Sequence, residues 1–373
     1  MSGIYIHIPF CKKACHYCNF HFSTSTQNTD GFLAALEKEI ELQKDYLKDT
    51  ISTIYIGGGT PSILPSAKIE TILNKIKQIF KVDANAEITL EANPDDITKV
   101  KLQEWKKAGI NRLSIGVQSF FENDLQWMNR AHNAKQAEDC ITLAQSEGFN
   151  NLTIDLIYGT PTLTDENWQH NVSKAIALGV NHLSCYALTV EPKTALEKMI
   201  RQHKVASVDP EKQAHHFELL MEWMQHAGFE HYEISNFAKP GFRSKHNSSY
   251  WQGKHYLGLG PSAHSFNGDT RQWNVANNAL YIQSLEKNIL PFEIEILTKE
   301  QQINEYIMTA LRTIEGISLN RIEQDFGNEI LEKILLEARQ CILNKQLEES
   351  ENFLKTTNKG KLLADGIAAD LFV

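Results

Sequence analysis

Six short runs rich in Ile, Leu, Val and Tyr recur along the first half of the chain: IYIHIP (4–9), TIYIGGG (53–59), EITLEAN (87–93), RLSIGVQ (112–118), NLTIDLIYG (151–159) and HLSCYAL (182–188). Each has the length and composition of a mostly buried strand. Helical patterns lie between them, such as DGFLAALEKEIELQKDYL from Asp30, SAKIETILNKIKQIF from Ser66 and TDENWQHNVSKAIALG from Thr164. Asp30, Ser66 and Thr164 all suit helix N-caps. Strand and helix alternating six times predict βαβ units in an α/β fold with a parallel sheet, either open or curled into a partial (β/α)6 barrel. The eight units of a closed barrel are not visible. Sheets of this kind build their sites at the carboxyl ends of the strands, where Cys11, residues 57–60, Glu91, Gln118 and Asp155 fall.

With 373 residues and 42% apolar content, the chain can bury one large core and a smaller one. We expect a barrel over 1–230, a mixed strand and loop extension over 231–296 and a C-terminal domain over 297–373. A helix is expected over 210–227. From Tyr232 to Trp273 no helix period fits, so strands and long loops are expected. The tail offers helices over 299–313 and 327–344, a short ISLNRIEQDFG segment and a final hairpin, the order of a winged helix. Over 297–373 it carries nine Lys and Arg against thirteen Asp and Glu, and the whole chain has a formal charge of −9. That balance argues against a nucleic-acid partner and for a packing or interaction module. No run of 18 apolar residues and no basic leader-like segment occurs, so a cytoplasmic protein is expected, reaching the inner membrane only through partners.

Six cysteines are too few for a disulfide scaffold, and Cys140, Cys185 and Cys341 stand alone in apolar surroundings, as packing residues do. The other three, Cys11, Cys15 and Cys18, form CxxxCxxC just past the first strand. A structural zinc site completed by His7, His16 or His21 is one reading. Such sites usually draw on two separated CxxC pairs, and no second pair exists. A 4Fe-4S cluster on three thiolates, with one iron left open, is the other.

CxxxCxYC followed by the GGGTP loop on a six-fold βα chain resembles the radical S-adenosylmethionine (radical SAM) enzymes. The resemblance implies that Cys11, Cys15 and Cys18 hold the cluster and that its open iron chelates SAM, which is cleaved to a 5′-deoxyadenosyl radical. It also implies SAM contacts from Gly58, Gly59 and Thr60 of the loop and from Glu91, Gln118, Arg130 and Asp155. Tyr5, Tyr17, Thr189 and His264 are expected in the same pocket. Over almost the full length, YIHIPFCxxxCxYCxF, YIGGGTPS, EANP, RLSIGVQSF, IDLIYGTP, HNSSYW and LGLGPSAHSF resemble the HemN/HemW group, which contains oxygen-independent coproporphyrinogen III oxidases and HemW-type heme chaperones.

Two departures separate the chain from the oxidases. Those enzymes carry a fourth cysteine two positions past the third, where this chain has Phe20. They also carry an N-terminal extension before the strand that here begins at Ile4. HNSSYW matches the HNxxYW motif associated with heme in the chaperones, which implies a heme site of His246, Asn247, Tyr250 and Trp251, with His246 helping to hold the iron. Arg243 and Lys245 are read as solvated surface charges. The expectation is therefore a heme chaperone that binds a 4Fe-4S cluster, SAM and heme and delivers heme to acceptor hemoproteins such as membrane-bound respiratory enzymes. The rivals are the oxidative decarboxylase and a HemN-like radical SAM methyltransferase. Which hemoprotein accepts heme, and whether the chain forms a homodimer, are left open.

Overall fold

The computed structural model describes residues 2–373. Its centre is six parallel strands in sequential order, β1 (Ser2–Ile8), β2 (Ile51–Gly58), β3 (Val82–Ala92), β4 (Arg112–Gln118), β5 (Leu152–Tyr158) and β6 (His182–Ala187). They are linked through α1 (Thr29–Leu42), α2 (Ser66–Ile79), α3 (Lys99–Ala108), α4 (Glu122–Trp127), α5 (Ala134–Ser146) and α6 (Asp165–Ala177). β1 and β6 do not pair with each other, so the barrel is open, as expected. After α7 (Ala195–Arg201) and α8 (Pro210–His226), the hairpin of β7 (Glu230–Glu233) and β8 (Asn236–Ala238) pairs antiparallel with β6.

Of the three expected N-caps only Thr164 caps, accepting from the backbone N–H of Asn167 at 3.2 Å. Asp30 lies one residue inside α1, where a carboxylate still suits the positive end of the helix. Ser66 is the first residue of α2 after Pro65, and its buried hydroxyl has no partner.

The strands obey a period of two. Ile4, Ile6 and Ile8 of β1, Ile54 and Ile56 of β2, and Leu113, Ile115 and Val117 of β4 are fully buried in the shell between sheet and helices. Each such side chain contributes about 1.5–3 kcal/mol of burial. The alternate positions face inward and are polar or small: Thr53, Tyr55 and Gly57 on β2, Glu87, Thr89 and Glu91 on β3, Arg112, Ser114 and Gly116 on β4, Thr153 and Asp155 on β5, His182 and Ser184 on β6. The barrel interior is therefore a polar column.

The region expected as strands and loops contains one helix, α9 (Lys245–Trp251), formed by KHNSSYW itself. Its turn geometry comes from caps, because Ser244 accepts from Asn247 N–H at 3.3 Å and Glu87 accepts from the N–H groups of Lys245 and His246 at 3.2 and 3.0 Å. A seven-residue helix shows too few turns for a period to be read. Strand β9 (Tyr256–Leu259) then pairs parallel with β1, followed by the antiparallel run β10 (His264–Phe266), β11 (Thr270–Asn274) and, after α10 (Asn278–Glu286), β12 (Phe292–Ile296). Residues 231–296 thus extend both ends of one sheet, and Tyr281, Ile282 and Leu285 join its core.

The tail has its own core around Ile307, Leu311, Ile322 and Ile334. It consists of α11 (Lys299–Leu311), the short β13 (Ile317–Ser318), α12 (Leu319–Phe326), α13 (Asn328–Leu343) and the hairpin β14 (Leu347–Ser350) with β15 (Phe353–Thr356), the expected winged-helix order. Two short helices, α14 (Asn358–Lys361) and α15 (Ala364–Asp370), end the chain. Cys140 and Cys185 are buried as expected, whereas Cys341 is half-buried against the tail core.

Candidate functional site

The loop after β1 is closed at its base by Cys11 N–H to Ser23 O (3.0 Å) and Ser23 N–H to Pro9 O (2.9 Å). Its far side is pinned by His16, whose ring Nδ1 meets Trp127 O at 2.8 Å, and by Asn129, which donates to Ala14 O at 2.8 Å. Cys11, Cys15 and Cys18 all line one cavity of about 960 Å³ at the carboxyl ends of the strands. None of His7, His16 and His21 lines it, so the zinc reading lacks its fourth ligand there. Thr60 Oγ1 donates to Cys11 Sγ at 3.4 Å, and Arg130 Nη1 donates to Cys15 Sγ at 3.3 Å. Burial pushes the Cys11 thiol up to about 11 against the pull of the Thr60 hydroxyl, and the Cys18 and Cys15 thiols add to the rise. Three thiols in one another's field are a donor set that gains by taking a positively charged iron cluster.

The glycine loop packs directly beneath. A Cβ on Gly57 would meet Glu91 Oε1 at 2.8 Å, and one on Gly59 would meet Phe10 O at 2.7 Å. Gly58 has φ +109°, and a Cβ there would strike the His7 ring at 2.6 Å, so only glycine fits. Its N–H donates to Glu91 Oε2 at 3.0 Å, while the Tyr55 hydroxyl donates to Oε1 at 2.8 Å. Burial raises Glu91 to about 7, with Asp155 adding to the rise, and raises Asp155 to about 7 against the pull of Arg112 and Arg130. Gln118 ends β4 at φ +67°, a conformation non-glycine residues hold at a cost and which concentrates at binding sites. The Arg130 guanidinium spans Asn93 Oδ1 and Gly116 O, both at 2.8 Å, and its buried Nε has no partner. Around the cysteines the buried carboxyls of Glu91 and Asp155 and the Arg130 guanidinium line the same cavity, a mixed donor and acceptor set that suits a ligand carrying both an ammonium and a carboxylate.

Most of the residues expected around SAM come together here: Tyr17, Gly58, Gly59, Thr60, Glu91, Gln118, Arg130, Asp155 and Thr189 all line this cavity. Tyr5 and His264 do not. They line a second cavity of about 1140 Å³ between the barrel edge and the tail domain. His264 belongs to a strand that lies beyond β9, outside the six βα units, which is why it faces away from the cysteines. Phe20, 66% exposed, borders both cavities together with Asn19, Gly58 and Glu91.

The HNxxYW helix sits between the two. Asn247 lines the cysteine cavity, whereas Tyr250 and Trp251 line the second. His246 lines neither. It is 1% exposed, its Nδ1 bonds Thr53 Oγ1 and its Nε2 bonds the Tyr250 hydroxyl, each at 2.8 Å, and its ring stacks on Tyr55 at 5.1 Å. Burial drives its pKa down to about 3. As folded, both ring nitrogens of His246 are engaged, so meeting an iron would require one of these two bonds to give way. Arg243 is not a free surface charge either, being paired with Glu230 (3.1 Å) and Glu315 (2.7 Å).

Sequence reasoning missed Tyr55, Ser114, Ser184 and Tyr186, all on the cavity wall, although the two-residue alternation along β2, β4 and β6 marks them. It also missed Arg312 and residues 361–366, which reach the cavity from the tail and carry no local signal.

Comparison with known proteins agrees with this architecture. Residues 5–175 match the radical SAM superfamily, and 297–363 match the HemN C-terminal domain. Over its full length the chain resembles the E. coli coproporphyrinogen III oxidase HemN, described as a radical SAM enzyme, with TM-score 0.86 and 25% identity, covering 100% of this chain and 90% of that one. The class is thus a radical SAM protein with a HemN-type tail, and proteins of this class carry a 4Fe-4S cluster and use SAM. The Bacillus subtilis heme chaperone HemW is 36% identical over 98% of both chains, and the Mycobacterium tuberculosis heme chaperone HemW is 35% identical over 99% of this chain and 94% of its own. The chain belongs to the HemW family.

Proposed function

We propose that this protein is a heme carrier built on a radical SAM scaffold. Cys11, Cys15 and Cys18 hold the 4Fe-4S cluster, and SAM lies across the strand ends between Gly58, Glu91, Gln118, Arg130 and Asp155. When bound, the cluster and SAM would supply one-electron chemistry. The chain's own contribution is to fix the thiols, to present paired carboxyls to the cationic ligand and to seal the floor with the glycine loop. Its task is to bind heme and pass it to acceptor hemoproteins, membrane-bound respiratory enzymes among them. It works from the cytoplasm, and no helix among the described residues is long and apolar enough to cross a membrane. The observation that carries this reading is full-length kinship at 30–36% identity to proteins named heme chaperones, in a chain with Phe20 where the oxidases have a cysteine.

The likeness to HemN over the whole chain favours one alternative, oxidative decarboxylation of coproporphyrinogen III. The two separate in one anaerobic experiment on the reconstituted protein, in which hemin titration and coproporphyrinogen turnover are followed in parallel. A hemin-induced Soret change without turnover is expected. Turnover to protoporphyrinogen with no Soret change would overturn the carrier reading.

A further inference from the structure

We propose that Lys361, which reaches the cysteine cavity from the tail, is the anchor for a carboxylate of the tetrapyrrole; this rests on the heme-carrier reading above. Among the described residues, the cations lining that cavity are Lys13, Arg130, Arg312 and Lys361. The first three are accounted for. Arg130 is held by Cys15, Tyr17, Asn93 and Gly116 beside the cluster loop. Arg312 is paired with Glu233 (3.2 Å) and Asp365 (2.8 Å). Lys13 is exposed on the cluster loop, where water already solvates the ammonium and an ion pair adds little.

Lys361 is half-buried, and no carboxylate pairs with it among the described residues. Its Nζ donates to His231 Nδ1 at 3.1 Å and to Asn358 Oδ1 at 3.4 Å. The imidazole is set up to accept. Its Nε2 faces Ile234 O at 2.9 Å, and because a carbonyl only accepts, the ring proton sits on Nε2 and Nδ1 turns a lone pair to the ammonium. Phe237 stacks on this ring at 4.1 Å and Phe217 meets it edge-on at 5.8 Å. Burial with no opposing charge pulls Lys361 down to about 8. An ammonium has three donors, so one is left for the cavity, and a desolvated cation gains by meeting an anion there through a charge-assisted bond.

The surroundings select the ligand. His231 belongs to β7, which ends the sheet with six strands between it and β1, whereas Arg130 stands beside Cys15 and is the cation placed for the carboxylate of SAM. Phe217, Ile234 and Leu362, joined to Lys361 through His231 or along the chain, line the cavity as well. An apolar wall with a single placed ammonium fits a flat apolar body that carries carboxylates at its edge, as a porphyrin with propionates does. Asn247 of α9 lines the same cavity, and so does Arg312, whose guanidinium covers the Trp251 ring at 5.4 Å. A macrocycle held at α9 therefore has Lys361 on the wall of the same space.

The test uses the full-length reconstituted protein, titrated with hemin, with hemin dimethyl ester, whose propionates are capped, and with coproporphyrin III, which has four carboxylates and no iron. The wild type should bind hemin about tenfold more tightly than the ester, and Lys361→Met should lose that difference by weakening hemin alone. Lys361→Arg should keep most of the hemin affinity, and SAM should bind both variants as it binds the wild type. Equal wild-type affinity for hemin and its ester would overturn the anchor, as would an unchanged hemin affinity in folded Lys361→Met. Weaker SAM binding in Lys361→Met would assign the ammonium to SAM and overturn it too. A wild type that binds coproporphyrin III but not hemin, with that binding weakened in Lys361→Met, would keep the anchor and remove the carrier reading; a wild type that binds neither would remove both.

Discussion

His246 carries the main residue-scale lesson. Its motif points to an iron ligand, but its ring closes a buried network, with Thr53 on one nitrogen and Tyr250 on the other. Such a histidine is held neutral. Its pKa of about 3 lies far below the ordinary value of 6.5, so between these limits the unfolded chain takes up a proton that the native chain refuses. The stability this site contributes is therefore complete above pH 6.5 and is lost as pH falls from 6.5 towards 3, at about 1.4 kcal/mol per pH unit for this group. His132 and His231, also driven by burial to about 3, act with the same sign. Denaturant unfolding measured from pH 7 to 4.5 should show that slope, and a folded His246→Gln variant should show it reduced by about one proton. An unchanged slope in the variant would mean that His246 is not buried in neutral form. The sequence could name this residue as special but not its environment, because Thr53 lies 193 residues away and meets it only in the fold.

At the scale of elements, α9 is the piece that couples the two cavities. Seven residues are too few to hold a helix by propensity, so its ends must be tied. Ser244 and the Glu87 carboxylate do this, and Glu87 is itself buried 3.9 Å from Arg112. Ser244→Ala should lower stability by about 1 kcal/mol, the usual value of an N-cap, read from the urea midpoint at constant slope. No shift would mean that the cap is not formed in solution. The six βα units, by contrast, were legible in number and order, though β3 begins at Val82, five residues before its expected start. Their hydrophobic runs are long, their turns are polar, and Cys11, Glu91, Gln118 and Asp155, picked out by the carboxyl-end rule, line one cavity. What escaped was the inward row of Tyr55, Ser114 and Ser184, ordinary residues made significant by alternation. The position of β10 escaped as well, since strand order across a sheet depends on pairing partners far apart in the chain.

At the scale of the whole molecule, the tail is docked on the barrel rather than tethered to it. Ile234 N–H donates to Arg312 O at 3.0 Å, and Ile314 N–H donates to Tyr232 O at 3.1 Å, joining β7 to the end of α11. The Arg312 guanidinium reaches the buried Glu233 at 3.2 Å and Asp365 at 2.8 Å, and its face covers the Trp251 ring at 5.4 Å. Removing one partner of a buried pair leaves the other charge uncompensated, so Arg312→Ala should lower stability by about 3 kcal/mol and open the 297–300 junction to proteolysis. Wild-type resistance in the variant would show that the backbone bonds alone hold the dock. Both cavities need this dock, because Arg312 and residues 361–366 line one and α11 and α12 line the other. The sequence by itself determined the parallel strands, the three cysteines and the family, because hydrophobic period and short motifs are local records of burial and chemistry. Only the tertiary structure decided that His246 is buried between Thr53 and Tyr250, that Tyr5 and His264 line a different cavity from the cysteines, and that the tail completes two pockets. These are facts about which side chains meet across a hundred residues or more, and no local pattern encodes them.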